Sequence, residues 1–190
     1  GRFTLDRQQD GLHKFHLHPA PRIGGIALFL GMAIGSIYHG LQADSQLYLS
    51  KWAGVAALPV FFGGLFEDIT KKISARDRLL LALISAAIGY YELNIGLNSI
   101  GWSWFDETLL VQPGVALVLT LIMVGGVAHS TNIIDGFHGL LLGFTMLAVS
   151  AFIWVTLKAG GNPTLITYLS ILLGATAGIF IFNFPKGKIF

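Results

Sequence analysis

Cysteine is absent from the 190 residues, which excludes disulfides and cysteine-ligated metal centres and leaves the redox compartment open. Charge is scarce as well: Asp, Glu, Lys and Arg make up 12% of the chain, about half of the roughly 25% usual in soluble domains. Hydrophobic residues account for 54%, and that balance excludes an ordinary water-soluble fold. The net charge is only +2, so no nucleic-acid partner is expected. The basic residues instead flank apolar runs, where anionic lipid headgroups or anionic substrates are the simpler partners. The chain has neither an initiating Met nor a signal-peptide pattern, and it stops after Lys188-Ile189-Phe190. Both ends are therefore expected to be cuts in a longer protein, and residues 1–190 to form a single membrane domain incomplete at each end.

What is present in abundance is long apolar sequence. Six runs cover approximately Ile23–Tyr38, Trp52–Phe66, Leu79–Leu97, Pro113–Ala128, Leu140–Leu157 and Leu165–Phe184, and Glu92 is their sole charged residue. A helix crosses a hydrocarbon core of about 30 Å with roughly 20 residues, so the two shortest runs are expected to borrow flanking polar residues. The runs do not alternate apolar and polar positions as membrane barrel strands do. The expected fold is all-α, a polytopic transmembrane helix bundle with about six membrane-spanning helices in the lipid bilayer. If the six runs cross in succession, ten basic residues fall on one face (Arg2, Arg7, Lys14, Arg22, Lys71, Lys72, Arg76, Arg78, Lys186 and Lys188) and two, Lys51 and Lys158, on the other. The basic face is the cytoplasmic one. Around Gly101–Glu107, on the opposite face, Trp102 and Trp104 read as an interfacial aromatic anchor.

Three polar segments gather on the basic face. In the first, His16–Gly25, Pro19 and Pro21 hold the backbone extended before Gly24-Gly25. Arg22 beside a helix start suits a phosphate, or it anchors a helix end at the interface. The nearby His13, His16 and His18 lack a fourth ligand for zinc. In the second, Gly63–Arg78, the adjacent carboxylates Glu67 and Asp68 precede Lys71 and Lys72. Neighbouring acids repel unless a cation or shared proton compensates them, and a magnesium ion carrying a diphosphate would do so. The alternative is a solvated, helix-breaking loop followed by a capping pattern, Ser74-Ala75-Arg76-Asp77. The third, His129–Leu140, spaces Asn132, Asp135 and His138 by three with glycines between them. Hard oxygen donors suit magnesium, and imidazole can bind a sugar or base or move a proton. A plain turn explains Asp135-Gly136 equally, but not so many polar groups at membrane depth.

These motifs resemble those of the polyprenyl-phosphate N-acetylhexosamine-1-phosphate transferases, glycosyltransferase family 4. His16-x-x-Pro19-x-Pro21-Arg22-x-Gly24-Gly25 is similar to the first cytoplasmic signature, in the form of the O-antigen and teichoic-acid branch rather than the muramoyl-pentapeptide branch. Gly64-Leu65-Phe66-Glu67-Asp68 resembles the acidic-pair motif, and Asn132-x-x-Asp135-Gly136-x-His138-Gly139-Leu140 the Asn-x-x-Asp-Gly-x-Asp-Gly motif. The resemblance implies a UDP-N-acetylhexosamine donor, an undecaprenyl-phosphate acceptor, release of UMP, and magnesium, or manganese in its place. It implies a multi-pass protein of the bacterial inner membrane, active on the cytoplasmic side in cell-wall or lipopolysaccharide biosynthesis, with a homodimer as one compatible assembly. Carried over residue by residue, it assigns Asp68, Asp135 and Glu67 to catalysis and Asp68, Asn132 and Asp135 to metal. His16, Arg22, Lys71, Lys72, His129 and His138 are assigned to substrate. Departures are Glu67 where the family has Asp, and His129 and His138 where Asn or Asp is usual. A Gly-Asp motif expected directly after Phe190 lies beyond the sequence, so this chain is expected to be a partial enzyme.

A membrane transporter or channel component is the rival class. It would place polar or broken positions near the middle of the runs and show an internal repeat. The small-residue pairs Gly31-x-x-x-Gly35 and Gly174-x-x-x-Gly178 are compatible with an assembly subunit and equally with packing inside one bundle.

Overall fold

A computed structural model of the chain describes residues 24–42, 44–134 and 139–185, with side chains 44–47 and 132 excepted. Helices α1 (Gly24–Gly40), α2 (Asp44–Thr70), α3 (Ala75–Leu93), α4 (Ser103–Phe105), α5 (Pro113–Ile134), α6 (Leu140–Lys158) and α7 (Pro163–Asn183) follow one another, with a π-helical turn at Asp106–Leu110. No strand occurs among the described residues.

The six long helices match the six apolar runs in order, but hydrogen bonding rather than hydropathy sets their ends. Helix α3 starts four residues before its apolar run because Ser74 caps it. The Ser74 hydroxyl accepts from the Asp77 N–H at 3.2 Å, and Asp77 Oδ2 accepts from the Ser74 N–H at 3.1 Å. That reciprocal pair satisfies two donors left over at a helix start and bears out the capping pattern. Asn94 in left-handed geometry (φ 52°) ends α3, its N–H donating to the Gly89 carbonyl. Helix α7 begins on Asn162, whose side-chain oxygen accepts from the Thr164 N–H at 2.8 Å, with Pro163 in the first turn, where its missing N–H costs nothing.

Among the described residues, four helices are long and apolar enough to cross a membrane, over Tyr48–Thr70, Pro113–Thr131, Leu140–Lys158 and Pro163–Asn183. Of the other two, α1 has 17 residues, and α3 carries Arg76, Asp77, Arg78 and Glu92 at its ends. Against about six expected spans, the described residues give four helices of spanning length and hydropathy, one shorter apolar helix and one helix with charged termini.

Neighbours pack in the order α5, α3, α2, α1, α7, α6, with a lighter contact between α5 and α6. Each strong pairing is antiparallel. Along α2 and α3, Tyr48 OH donates to the Glu92 carbonyl at one end and Arg78 meets Glu67 at the other. On α1, Gly31 and Gly35 face Ala175 and Ile171 of α7, and a Cβ on Gly35 would lie 2.6 Å from the Ile171 Cγ2. On α5, Gly125 faces Leu79 and Leu83 of α3, while the α5 start meets α3 at Tyr90 OH, which donates to the Pro113 carbonyl. Gly25, Glu67, Asp68, Arg78, Ile134 and Gly139 therefore share one end of the bundle; Ser50, Lys51, Glu92 and Pro113 share the other.

Among the described residues the buried apolar ones are few: Ala82, Ala86, Leu110, Ala116, Val149 and Ile179. Large apolar side chains stand outward along whole helices, with Ile34 68%, Leu147 75% and Ile181 74% exposed. Water tolerates no such surface at this scale, whereas lipid does.

Candidate functional site at the basic end of the bundle

Helix α2 does not stop at Gly63-Gly64 but runs on through both acids to Thr70. This corrects the helix-breaking alternative for that segment. Its end is well defined: the Thr70 hydroxyl donates to the Phe66 carbonyl at 2.6 Å, the Lys71 N–H donates to the Glu67 carbonyl at 2.8 Å, and Lys71 turns into left-handed geometry at φ 55°. The Lys72 N–H then donates to the Thr70 hydroxyl at 3.3 Å.

Successive helical residues point about 100° apart, so the paired carboxylates diverge. Glu67 turns to α3, where Arg78 Nη1 donates to both its oxygens at 2.7 and 2.8 Å. Both side chains are about three-quarters buried. Asp68 instead lines an open groove of about 740 Å³ between α1 and α2. The repulsion for which a cation or a shared proton was expected is thus answered in part by Arg78. Sequence reading counted Arg78 only as a basic-face residue. The usable signal was that Glu67 and Arg78 stand at nearly equal distances from the tight link at 71–74, so an antiparallel hairpin must bring them level.

The groove wall is apolar over most of its length, with Gly25, Phe29, Met32, Ala57, Phe61 and Leu65 among its residues. Phe29 and Phe61 stack with ring centroids 4.0 Å apart. Its far end holds Ser50, Lys51 and Tyr168. There the Ser50 hydroxyl lies 2.9 Å from the Ser36 carbonyl and 2.6 Å from the Tyr168 hydroxyl. From Lys51 to Asp68 the α2 axis advances about 25 Å at 1.5 Å per residue, most of a hydrocarbon core's thickness.

Lys71 and Lys72 lie exposed just past the α2 end. His129 and Asn132 belong to the closing turns of α5, which continues to Ile134. This corrects the reading of His129–Leu140 as a single inter-helix segment: its first half is helix. His129 is half-buried, and Asn132 is placed by its backbone alone. Helices α2 and α5 both pack on α3, so Asp68 and the α5 residues meet the same end of the bundle on either side of it. His16, Arg22, Asp135 and His138 lie outside the described residues. Among the described residues, no three His, Asp or Glu side chains form a metal-sized cluster.

A family model described as glycosyl transferase family 4 matches residues 52–190. The chain belongs to that family. Among curated relatives, the chain is 26% identical over 183 residues to the "Probable undecaprenyl-phosphate N-acetylglucosaminyl 1-phosphate transferase" of Bacillus subtilis (strain 168), covering 96% of this chain and 49% of that protein. It is 27% identical over 208 residues to the "Decaprenyl-phosphate N-acetylglucosaminephosphotransferase" of Mycobacterium tuberculosis (strain ATCC 25618 / H37Rv), covering 100% and 49%. The "Phospho-N-acetylmuramoyl-pentapeptide-transferase" of Shouchella clausii is 26% identical over 186 residues, covering 90% and 54%. The chain spans about half the length of these relatives. No solved structure matches.

Proposed function

We propose that the protein containing this chain transfers a sugar-1-phosphate, an N-acetylhexosamine-1-phosphate in particular, from a UDP-sugar to undecaprenyl phosphate and releases UMP. The reaction takes place at the cytoplasmic face of a bacterial plasma membrane. The observation that carries this reading is the position of Asp68: a half-buried carboxylate at the mouth of an apolar groove, at the bundle end that also bears Lys71 and Lys72. An anionic headgroup on a hydrocarbon tail and a soluble nucleotide can meet there. The relatives' names, each a transferase, support the same class over a transporter.

In that reaction an oxygen of the lipid phosphate attacks the phosphorus attached to the sugar. The bond from that phosphorus to the UMP oxygen breaks, and its electron pair leaves with UMP. Lys71, Lys72, Arg22 and His16 offset charge on the donor diphosphate, while His129 and His138 contact sugar or base. Asp68 supplies a hard oxygen donor of the kind magnesium takes, and Asn132 and Asp135 would complete its protein ligands. When bound, magnesium would neutralise the diphosphate. Asp68 and Asp135 also orient the acceptor phosphate, and its single proton passes to one of these two carboxylates.

The test is magnesium-dependent UMP release by the full-length protein in membranes, with a panel of UDP-N-acetylhexosamines and undecaprenyl phosphate. Turnover with at least one donor is expected. A folded protein inactive with every donor would sink the reading. Asp68→Asn should lose at least about 100-fold in kcat, the scale of one removed electrostatic stabiliser, with insertion unchanged; full activity would remove Asp68 from the site.

A further inference from the structure

We infer that Glu67 and Arg78 are a positioning pair that sets where Asp68 stands, so that of the two adjacent acids one holds the site in place and the other works in it. The inference rests on the transferase reading.

The geometry separates the two acids. Asp68 lines the groove and Glu67 does not; both Glu67 oxygens accept from a single guanidinium nitrogen on α3. The acids occupy the last turn of α2, where carbonyls lack intrahelical partners and helices fray. Beyond it the chain must reverse through Lys71 and reach the α3 cap within four residues. A turn so placed is the part of α2 freest to rotate, and any rotation carries Asp68 sideways along the groove mouth.

Contacts among the described residues oppose that rotation. Thr70 ties back to the Phe66 carbonyl, Lys71 to the Glu67 carbonyl, and Arg78 reaches across from the next helix. The first two are local to α2, whereas the third ties its end to α3. Arg78 is itself held, because the Ser74–Asp77 capping box orders the α3 start one turn before it. Gly63, one turn below Glu67, lets the helices close up: a Cβ there would lie 2.4 Å from Leu81 Cδ1. Arg suits the task, since its planar guanidinium is preorganised, whereas a lysine ammonium is a mobile point charge.

The test uses the full-length protein in membranes, with UDP-N-acetylglucosamine and undecaprenyl phosphate as substrates if that donor turns over, and otherwise the donor that does. Glu67→Gln and Arg78→Gln should each lower kcat roughly 10- to 100-fold, the cost of sub-ångström to ångström misplacement, with donor KM within about twofold. The double variant should be no slower than the slower single, because both remove one contact. Arg78→Lys should recover part of the loss. Full kcat in either single variant overturns the proposal. So does a double variant that loses the product of the two single effects, which would mean Glu67 acts independently. So does a loss expressed in KM with kcat intact. Should the glutamine variants fail to accumulate as folded protein, Arg78→Lys decides on the same criterion. A folded wild type inactive with every donor overturns the transferase reading instead, a result no variant mimics.

Discussion

Asp106 shows how much one side chain organises in the segment between α3 and α5. Its carboxylate accepts from the Ser99 hydroxyl at 2.6 Å, the Ile100 N–H at 3.0 Å and the Gly101 N–H at 3.2 Å. The fold thereby presents Trp102 and Trp104, each 58% exposed, at the far membrane boundary. The Ser99 hydroxyl first, and the Ile100 N–H next, hold the Asp106 carboxyl below its ordinary value of 3.8. Because the folded value lies below the unfolded one, the stabilisation is fully present above the unfolded value. It is lost as pH falls through the folded one. Acidification below about pH 4 should therefore release amide-exchange protection at Ile100 and Gly101. Asp106→Asn should weaken that protection at neutral pH and flatten its acid dependence. An unchanged acid profile in the variant would show that another group governs the loop. Residue-level roles of this kind divide by range. The Ser74–Asp77 cap was legible because both partners lie within one turn of sequence. The Glu67–Arg78 contact was not, because it exists only once α2 continues through Gly63-Gly64 and the hairpin closes.

At the scale of elements, hydropathy located every long helix and misplaced several ends. Apolar runs report which residues lipid can cover; caps and left-handed residues decide where hydrogen bonding stops. Thus α3 shifted towards Ser74, α2 extended over the acids, and α5 absorbed His129 and Asn132. The glycine pairs show the same limit, since spacing alone cannot tell a packed face from an open one. Gly31 and Gly35 bring α1 against α7, whereas Gly174 and Gly178 have nothing within 4 Å of an added Cβ. Gly35→Val must displace the branched Ile171 side chain and should cost about 1–3 kcal/mol, read as a lower thermal midpoint in detergent. Gly174→Ala should leave that midpoint unchanged or raise it slightly, since a helix gains roughly 0.5–1 kcal/mol from the exchange. Equal losses at both positions would contradict the packing order.

For the whole molecule, the antiparallel order turns a charge count into a testable geometry. The described basic residues at the site end are Lys71, Lys72, Arg76 and Arg78, and Lys51 and Lys158 lie at the other end. That division matches the sidedness read from the sequence without using Asp68, Asn132 or Asp135, so membrane orientation and metal chemistry can fail separately. The absence of cysteine from this chain makes the orientation directly measurable with single introduced thiols. Lys72→Cys should react with a membrane-impermeant maleimide only when the cytoplasmic face of sealed vesicles is outward, and Lys158→Cys only in the opposite orientation. The same face for both would break the alternating topology. Reversed faces would keep the bundle but put Asp68 outside, where no cytoplasmic nucleotide sugar reaches it, and would remove the physical basis of the transferase reading while leaving the family assignment intact.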